Sequence, residues 1–436
     1  MASKDLFDRA KTVMPSGYTR NMIVQQPHPI YAASAHGCRL VDVEGVSRID
    51  WTNNFASLIH GHAKPEVVQA IAAQASRLVS ATMPERGEIG LAELLVERIP
   101  GVHLVRFMNS GTEANAIAIK AARAYSGRSK VAKLEGGYHG QYDLLEASYM
   151  PTPAGWGDAA APTPMAHNVG TPRSLLDELV LLPLNDIENT RAILKRHAKN
   201  LAAVIIDPSG MSLGTGVYAQ RDFLEALRES TQRLGIVLIF DEVWSLRRGY
   251  HGNQGHLGIV PDLTTMGKMI GGGLPIGAVG GSAEVMSVFS TSDGGPAVKH
   301  SGTFTANPLS MAAGYTAMRL MTREAFGELQ VHGERLKLGL ERALFDAGLV
   351  GHVLNQGSMT NLIFTPSMPA NYREYFAQQT PEVVSKGRRA QALMSAEGLH
   401  VLRNMFIGST AMTVGDIDET IQSVTRALRR LARGEG

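Results

Sequence analysis

The chain has 436 residues, 44% of them apolar and 19% charged, with a formal net charge of +2. That length supports a large core and more than one domain, while so small a net charge argues against the basic field through which proteins engage nucleic acid or anionic membranes. The single cysteine, Cys38, allows no disulfide within the chain and fits a reducing compartment. No apolar run approaches the roughly 18 residues of a membrane span, and the opening MASKDLFDRAKTVMPSG has no apolar signal segment. The expectation is a cytoplasmic protein with neither nucleic-acid nor membrane partners.

Pro15, Gly17, Pro27, Pro29 and Gly37 break the first ~50 residues into short elements and turns. In GCRLVDVEGVSRIDW, Glu44-Gly45 separates two short alternating runs, which predicts a hairpin. His60 and His62 have an H-x-H spacing compatible with zinc, but no companion cluster accompanies them; a turn before a helix opening at Pro65 is the simpler reading. PEVVQAIAAQASRLV and GLAELLVERI have helical period. VRFM reads as a short strand, and EANAIAIKAARAYSG as a helix closed by Gly127. SKVAKLEG, LAAVIID and GIVLIFDEV read as buried strands, separated by helices such as QRDFLEALRESTQRLG. Met150 to Pro172, rich in proline and glycine, reads as a surface loop of a length often tied to function.

Strands alternating with helices of about 10–15 residues predict βαβ units and a mostly parallel sheet. Runs apolar on both faces suit strands covered by helices on each side. Near Thr316 the pattern changes to long amphipathic helices, FGELQVHGERLKLGLERALFDAGL among them, and then to a mixed ending. The fold class is therefore α/β. A large domain is expected over 56–318, with a smaller α+β domain built from 1–55 and 319–436.

Chemistry gathers where this pattern stops being apolar. In IVLIFDEVW, Ile236 to Trp244, five apolar residues run into Asp241 and Glu242. Carboxylates at the end of a buried strand need a partner, and ligands of open α/β sheets bind beyond the carboxyl ends of strands. A cap on the following helix is the alternative for Asp241. In VRFMNSGTEANA, Ser110 and Glu113 have capping-box spacing. Gly111 admits close approach to the backbone, and a helix N-terminus favours an anion; an ordinary capped helix has the same signature. The lysine and spacing of a P-loop are missing, which argues against a nucleoside triphosphate.

TTMGKMIGGGLPIGAVGG sets Lys268 among small and apolar residues. Desolvation there lowers the proton affinity of an amine and makes it a usable nucleophile; a lysine snorkelling from a strand end is the plain alternative. The following glycines predict close backbone approach to something bulky. They do not fit the register of a dinucleotide fingerprint. EGGYHGQY offers Tyr138 and His139 as an aromatic face, although alone it reads as a turn with packed aromatics. An anion cradle, an aromatic platform, a strand-end aspartate and a buried lysine are together what pyridoxal 5′-phosphate requires. The lysine forms the Schiff base, and the aspartate keeps the pyridine nitrogen protonated so that the ring acts as electron sink.

Over nearly its whole length the chain resembles the class III (ω-type) aminotransferases, fold-type I pyridoxal-phosphate enzymes. The resemblance is to the branch of glutamate-1-semialdehyde aminomutases and β-amino-acid aminotransferases. It is carried by MPSGYTRN, GHAKPEVV, NSGTEAN, GGYHG, FDEV, PDLTTMGKMIGGGLPIGAVGG and HSGTF. It implies that Lys268 is the Schiff-base lysine and Asp241 the pyridinium partner. Tyr138 would stack on the ring and Val243 on its opposite face, with Ser110, Gly111 and Thr112 holding the phosphate. Thr303 would reach the phosphate of a neighbouring subunit, which implies a homodimer with interfacial sites. Arg20, in SGYTRN, matches an arginine that binds substrate carboxylate, and Arg403, in HVLRNMF, lies near a second one in the β-amino-acid enzymes; a guanidinium fork suits a carboxylate. An ion pair is the alternative for each. Arg247 and Arg248 read as solvated.

Two departures stand out. The family's Glu-Pro appears as Asp207-Pro208, followed by SGMSLG, so that carboxylate is one methylene shorter. After FDEV, Trp244-Ser245-Leu246 replace Thr-Gly-Phe, which changes the pocket wall. The resemblance implies an aminotransferase moving an amino group between an amine or amino acid, a β-amino acid favoured, and a keto acid, with Lys268 as the general base. A 2,1-aminomutase of the glutamate-1-semialdehyde type is one alternative. It is weakened by the proline-rich MPTPAGWGDAAAPTPMAHNVGTP where aminomutases carry a Gly/Ser-rich gating loop. An amine:pyruvate transaminase acting on donors without a carboxylate is another. A catalytically silent pyridoxal-phosphate-binding module is a third, and the intact Lys268 and Asp241 argue against it. No metal is expected.

Overall fold

A computed structural model of the chain describes residues 2–25, 27–210, 216–291 and 294–435. A seven-stranded sheet dominates. Its strands, from edge to edge, are Leu104–Met108, Gly277–Gly281, Leu263–Gly267, Val237–Asp241, Leu201–Ile206, Lys130–Leu134 and Leu179–Leu182. Gly277–Gly281 runs antiparallel to both neighbours; the other pairings are parallel.

Side chains alternate across a strand, and here both sets find helices. Val237 and Ile239 join Ala203 and Ile205 against Ala114, Ala118 and Ala122 of the helix Gly111–Ser126. Leu238 and Phe240 face the other way, onto Phe223, Leu224 and Leu227 of the helix Arg221–Leu234. Each valine, leucine, isoleucine or phenylalanine so buried contributes about 1.5–3 kcal/mol. Gly127, at φ 66°, ends the first of these helices in the left-handed conformation that glycine adopts without penalty.

Gly277–Gly281, Leu263–Gly267 and Leu179–Leu182 were not singled out by periodicity. The first is glycine-rich because backbones crowd it: a Cβ on Gly277 would lie 2.0 Å from the Ser110 carbonyl oxygen. The glycines after Lys268 make room for the chain itself. A Cβ on Gly272 would lie 2.5 Å from the Ala313 carbonyl oxygen, on the helix Pro308–Leu320.

A second core joins the two ends of the chain. Cys38, Ile49 and Trp51 pack with Leu336, Leu340, Leu393, Phe406, Val424 and Leu428, and Trp51 meets Phe406 edge-on at 5.6 Å. The expected hairpin pairs Arg39–Asp42 with Ser47–Asp50, and the latter also pairs in parallel with Leu399–His400. Arg323–Asp346, Pro381–Ala396 and Val414–Ala432 are the long helices of this region. Among the described residues no helix is long and apolar enough to cross a membrane.

Candidate active site

Three adjacent strands end side by side and deliver Asp207, Asp241 and Lys268 to one edge of the large sheet. Asp241 is buried and fully engaged. Its Oδ2 accepts from Asn115 Nδ2 at 2.8 Å and lies 2.8 Å from His139 Nδ1. Its Oδ1 accepts from the Val243 N–H at 3.1 Å and from the Thr265 hydroxyl at 3.4 Å. Burial pushes the carboxyl up, but His139, Asn115 and the Val243 N–H outweigh it and hold Asp241 below the ordinary carboxylate range. His139 itself is pushed down by burial. Glu242 points elsewhere. It accepts from the N–H groups of Asn253 (2.6 Å) and Gln254 (3.1 Å), at the start of the helix Gly252–Leu257, and burial pushes it up to about 7. The helix cap considered for Asp241 is thus the work of Glu242.

Lys268 opens a tight turn directly after Leu263–Gly267 at φ 50°, a left-handed conformation that costs a non-glycine residue of order 1 kcal/mol and that clusters at active sites. Its Nζ lies 5.0 Å from the centroid of the Trp244 ring. Burial depresses the amine's basicity, against the opposing pull of Asp241 and Asp207. Asp207 accepts from the Ser209 N–H and hydroxyl through Oδ1 (2.8 and 2.7 Å). Its buried Oδ2 has no hydrogen-bond partner among the described residues. Burial and the nearby Asp241 push Asp207 up to about 6. Of the SGMSLG that follows, Met211–Gly214 lie outside the described residues.

The helix opening is capped as expected on one side only. Ser110 Oγ accepts from the Glu113 N–H at 3.1 Å. The Glu113 carboxylate reaches back to the Asn109 N–H at 2.9 Å rather than to that of Ser110, one residue off the reciprocal box. A Cβ on Gly111 would lie 2.8 Å from Val243 Cγ1, and one on Gly140 2.3 Å from Thr112 Oγ1. Ser110, Gly111, Thr112 and Val243 therefore converge on the Asp241 edge. Tyr138 is 37% exposed, with Tyr149 against it at 4.9 Å between centroids.

Arg20 is exposed and donates to Asn54 Oδ1 at 3.2 Å. Arg403, exposed at φ 53°, reaches the sulfur of Met22 at 3.4 Å, so it touches the N-terminal segment to which Arg20 belongs. Neither has an ion-pair partner among the described residues. Thr303 is exposed, and its neighbour Phe304 is 61% exposed.

The expectation for Arg247 is overturned. It is 2% exposed; its Nε donates to Ser358 Oγ at 3.0 Å, and its other nitrogens reach the carbonyls of Ala56 and Gly408. It ties the turn after Asp241 to both ends of the chain. Arg248 is partly buried and bonded to His256, so it too is not a freely solvated charge. His60 bonds to Thr410 and to the Ala317 carbonyl, and His62 to Asp50.

Four residues near the site carry no local sequence signal: Asn115, Thr265, Glu135 and Arg373. Arg373 grips both Glu135 carboxylate oxygens at 2.8 and 2.9 Å, bonds the carbonyls of Trp156, Gly157 and Asp158 and lies over the Trp156 ring at 4.7 Å. Their partners are distant in sequence, so only the topology pairs them.

The residues present fit pyridoxal 5′-phosphate. A helix N-terminus favours its phosphate, an anionic aspartate suits a protonated ring nitrogen, a half-exposed tyrosine offers a ring face, and an unpaired buried Asp207 oxygen stands ready for a polar group.

Residues 22–428 match the family described as aminotransferase class-III. The chain is 38% identical over 439 residues to glutamate-1-semialdehyde 2,1-aminomutase 2 of Geobacillus kaustophilus (strain HTA426), with 98% of each covered. An omega-transaminase from Sphaerobacter thermophilus superposes with a TM-score of 0.96 at 44% identity, covering 99% of this chain and 98% of that one. A beta-phenylalanine aminotransferase from Variovorax paradoxus has a TM-score of 0.84 at 33% identity, covering 97% and 93%.

Proposed function

The chain belongs to the class-III aminotransferase family, pyridoxal-phosphate enzymes of fold-type I, and on that premise we propose that it moves an amino group between a β-amino acid and a keto acid through Lys268. The observation that carries this reading is the arrival of Lys268, Asp241 and Asp207 side by side from three adjacent strands at one edge of the large sheet, where burial depresses the basicity of the lysine amine. Pyridoxal phosphate, when bound, supplies a carbonyl that captures amines and a ring that takes up the electron pair freed at the amine-bearing carbon.

Asp241, held anionic by His139 and Asn115, would keep the ring nitrogen protonated. Ser110, Gly111 and Thr112 would hold the phosphate, and Tyr138 and Val243 would pack against the ring. Lys268 Nζ, where its amine is free, would serve as the general base that takes the proton from the amine-bearing carbon and gives it back one position away. Release of the first product and entry of a keto acid reverse the sequence, so the kinetics are ping-pong.

Arg20 and Arg403, exposed and without ion-pair partners among the described residues, the second touching the segment that carries the first, support a donor that carries a carboxylate; the likeness to a beta-phenylalanine aminotransferase supports a β-amino acid. A second reading, the 2,1-aminomutase, draws on the name of the Geobacillus relative. It is disfavoured by the anchoring of 156–158 to Arg373, which leaves that segment little freedom to act as a gate. In the same reading 56–318 form the cofactor-binding domain, with 1–55 and 319–436 the smaller one. The protein is a cytoplasmic homodimer in which exposed Thr303 and Phe304 face the neighbouring subunit and Thr303 reaches its phosphate.

Stopped-flow absorbance of the holoenzyme tests this, with a β-amino acid, an α-amino acid, 1-phenylethylamine and 4,5-diaminovalerate mixed separately. Conversion to the pyridoxamine form by the β-amino acid, lost in Arg20→Ala, is expected. Conversion by phenylethylamine, indifferent to Arg20, would make it an amine transaminase. Reaction with diaminovalerate alone would restore the aminomutase, and a band that no amine alters would favour the silent module.

A further inference from the structure

Trp244 stands immediately beyond the Asp241-Glu242-Val243 strand end, at one of the two departures from the family pattern. Its ring is the aromatic surface that Lys268 meets, 5.0 Å from Nζ to centroid, inside the roughly 6 Å reach of a cation–π contact. The chain on both sides of the ring is held in place. Before it, the Val243 N–H is bound by Asp241; after it, the Leu246 N–H is bound by the Glu242 carbonyl at 3.1 Å, and Arg247 is anchored to Ser358, Ala56 and Gly408. The indole N–H is buried without a hydrogen-bond partner among the described residues. What the side chain offers Lys268 is therefore its face, the negative side of the aromatic quadrupole.

We propose that Trp244 is a positioning residue for the reactive amine, its indole face holding Lys268 Nζ between Asp241 and Asp207 and sustaining the ammonium form whenever that amine is free. The inference rests on Lys268 being the reactive amine. A lysine that takes a proton from one carbon and returns it to another must be comfortable in both charge states, and burial favours only the neutral one. The charged groups facing Nζ are Asp241, at the end of its own strand, and Asp207, after the neighbouring strand. Asp241 is committed to His139, Asn115 and the ring nitrogen. Asp207, pushed up to about 6, gives up part of its charge in mildly acidic solution. The ring face supplies stabilisation that does not titrate.

The full-length protein loaded with pyridoxamine phosphate leaves Lys268 free. Limited acylation with acetic anhydride across a pH series, read by peptide mass spectrometry, then gives the titration midpoint of Lys268 without turnover. In Trp244→Met the midpoint should fall by about half to one pH unit, and in Trp244→Phe, which keeps a weaker ring face, by less. The pH at which the donor half-reaction accelerates should move the same way. Equal midpoints in wild type and Trp244→Met, or a higher one in the variant, would overturn the proposal. If Trp244→Met does not fold, Trp244→Phe alone decides it, since an unshifted or raised midpoint there has the same meaning. Borohydride reduction of the pyridoxal-loaded wild type separates this from failure of the premise: a tag on any lysine other than Lys268 removes the premise itself.

Discussion

His139 Nδ1 lies 2.8 Å from Asp241 Oδ2, and both side chains are buried. The two lie far apart in sequence, and their contact is what allows a carboxylate to remain anionic where burial alone would protonate it. Because Asp241 is held below its unfolded value, its contribution to stability is present above about pH 4 and is lost as the pH falls through the folded value. His139→Leu removes the leading opposing cause. Acid unfolding, followed by circular dichroism, should therefore begin at a higher pH in the variant. Loss of a charge-assisted hydrogen bond of about 1.5–3 kcal/mol should also weaken cofactor binding or turnover by roughly 10- to 100-fold. An unchanged acid limb would show that Asn115 and Val243 suffice.

Arg403 reaches the N-terminal segment that carries Arg20, and neither arginine has an ion-pair partner among the described residues. If each meets a substrate carboxylate, Arg20→Ala or Arg403→Ala should raise KM for a β-amino acid by roughly 10- to 100-fold and leave the half-reaction with phenylethylamine within about twofold. Equal losses with both donors would mean that the arginines serve the fold.

Lys133 is fully buried in the sheet, and its Nζ donates to the carbonyls of Leu145 and Ala147 at 2.6 and 2.7 Å. Desolvation pushes it down to about 7 from an ordinary 10.5, against the pull of Glu146. The unfolded chain therefore binds the extra proton between those values, so this lysine makes stability rise with pH from about 7 to 10.5, by at most about 1.4 kcal/mol per unit. Below pH 7 its full cost is present. In Lys133→Met that rise should disappear, so the gain in Tm between pH 7 and pH 9 should shrink relative to wild type. A variant whose Tm keeps the wild-type pH dependence would place the proton elsewhere.

The chemistry-bearing residues were legible where a few consecutive residues carried the whole signal. Asp241 ends an apolar run, Lys268 sits among glycines, and Ser110 opens a helix. Their supporting partners were not legible, because Asn115 comes from a helix, His139 from a loop and Thr265 from a neighbouring strand, and they meet Asp241 only once the sheet is assembled. Gly277–Gly281 hid as a strand because backbone crowding, not side-chain pattern, determines its composition. Arg247 was misread for a related reason. Two adjacent arginines look like a solvated pair until the chain ends fold over one of them and offer carbonyls in place of water.

Arg373 and Glu135 put that same long-range pairing to the test. Their bidentate contact leaves Glu135 buried, and the arginine also binds three carbonyls of the Trp156–Asp158 segment. Glu135 directly precedes the Gly136-Gly137-Tyr138 platform, so the pair links that platform to the helix Tyr372–Gln378. Removing one partner strands a buried charge, which costs about 3–5 kcal/mol, whereas removing both avoids that penalty. Arg373→Met should lower Tm markedly and speed hydrogen exchange across 150–172, with Glu135→Gln somewhat milder. The double variant should be more stable than the sum of the single losses. Strict additivity in that cycle would mean that the two side chains act independently, and unchanged exchange in 150–172 would mean that Trp156 alone holds the segment down.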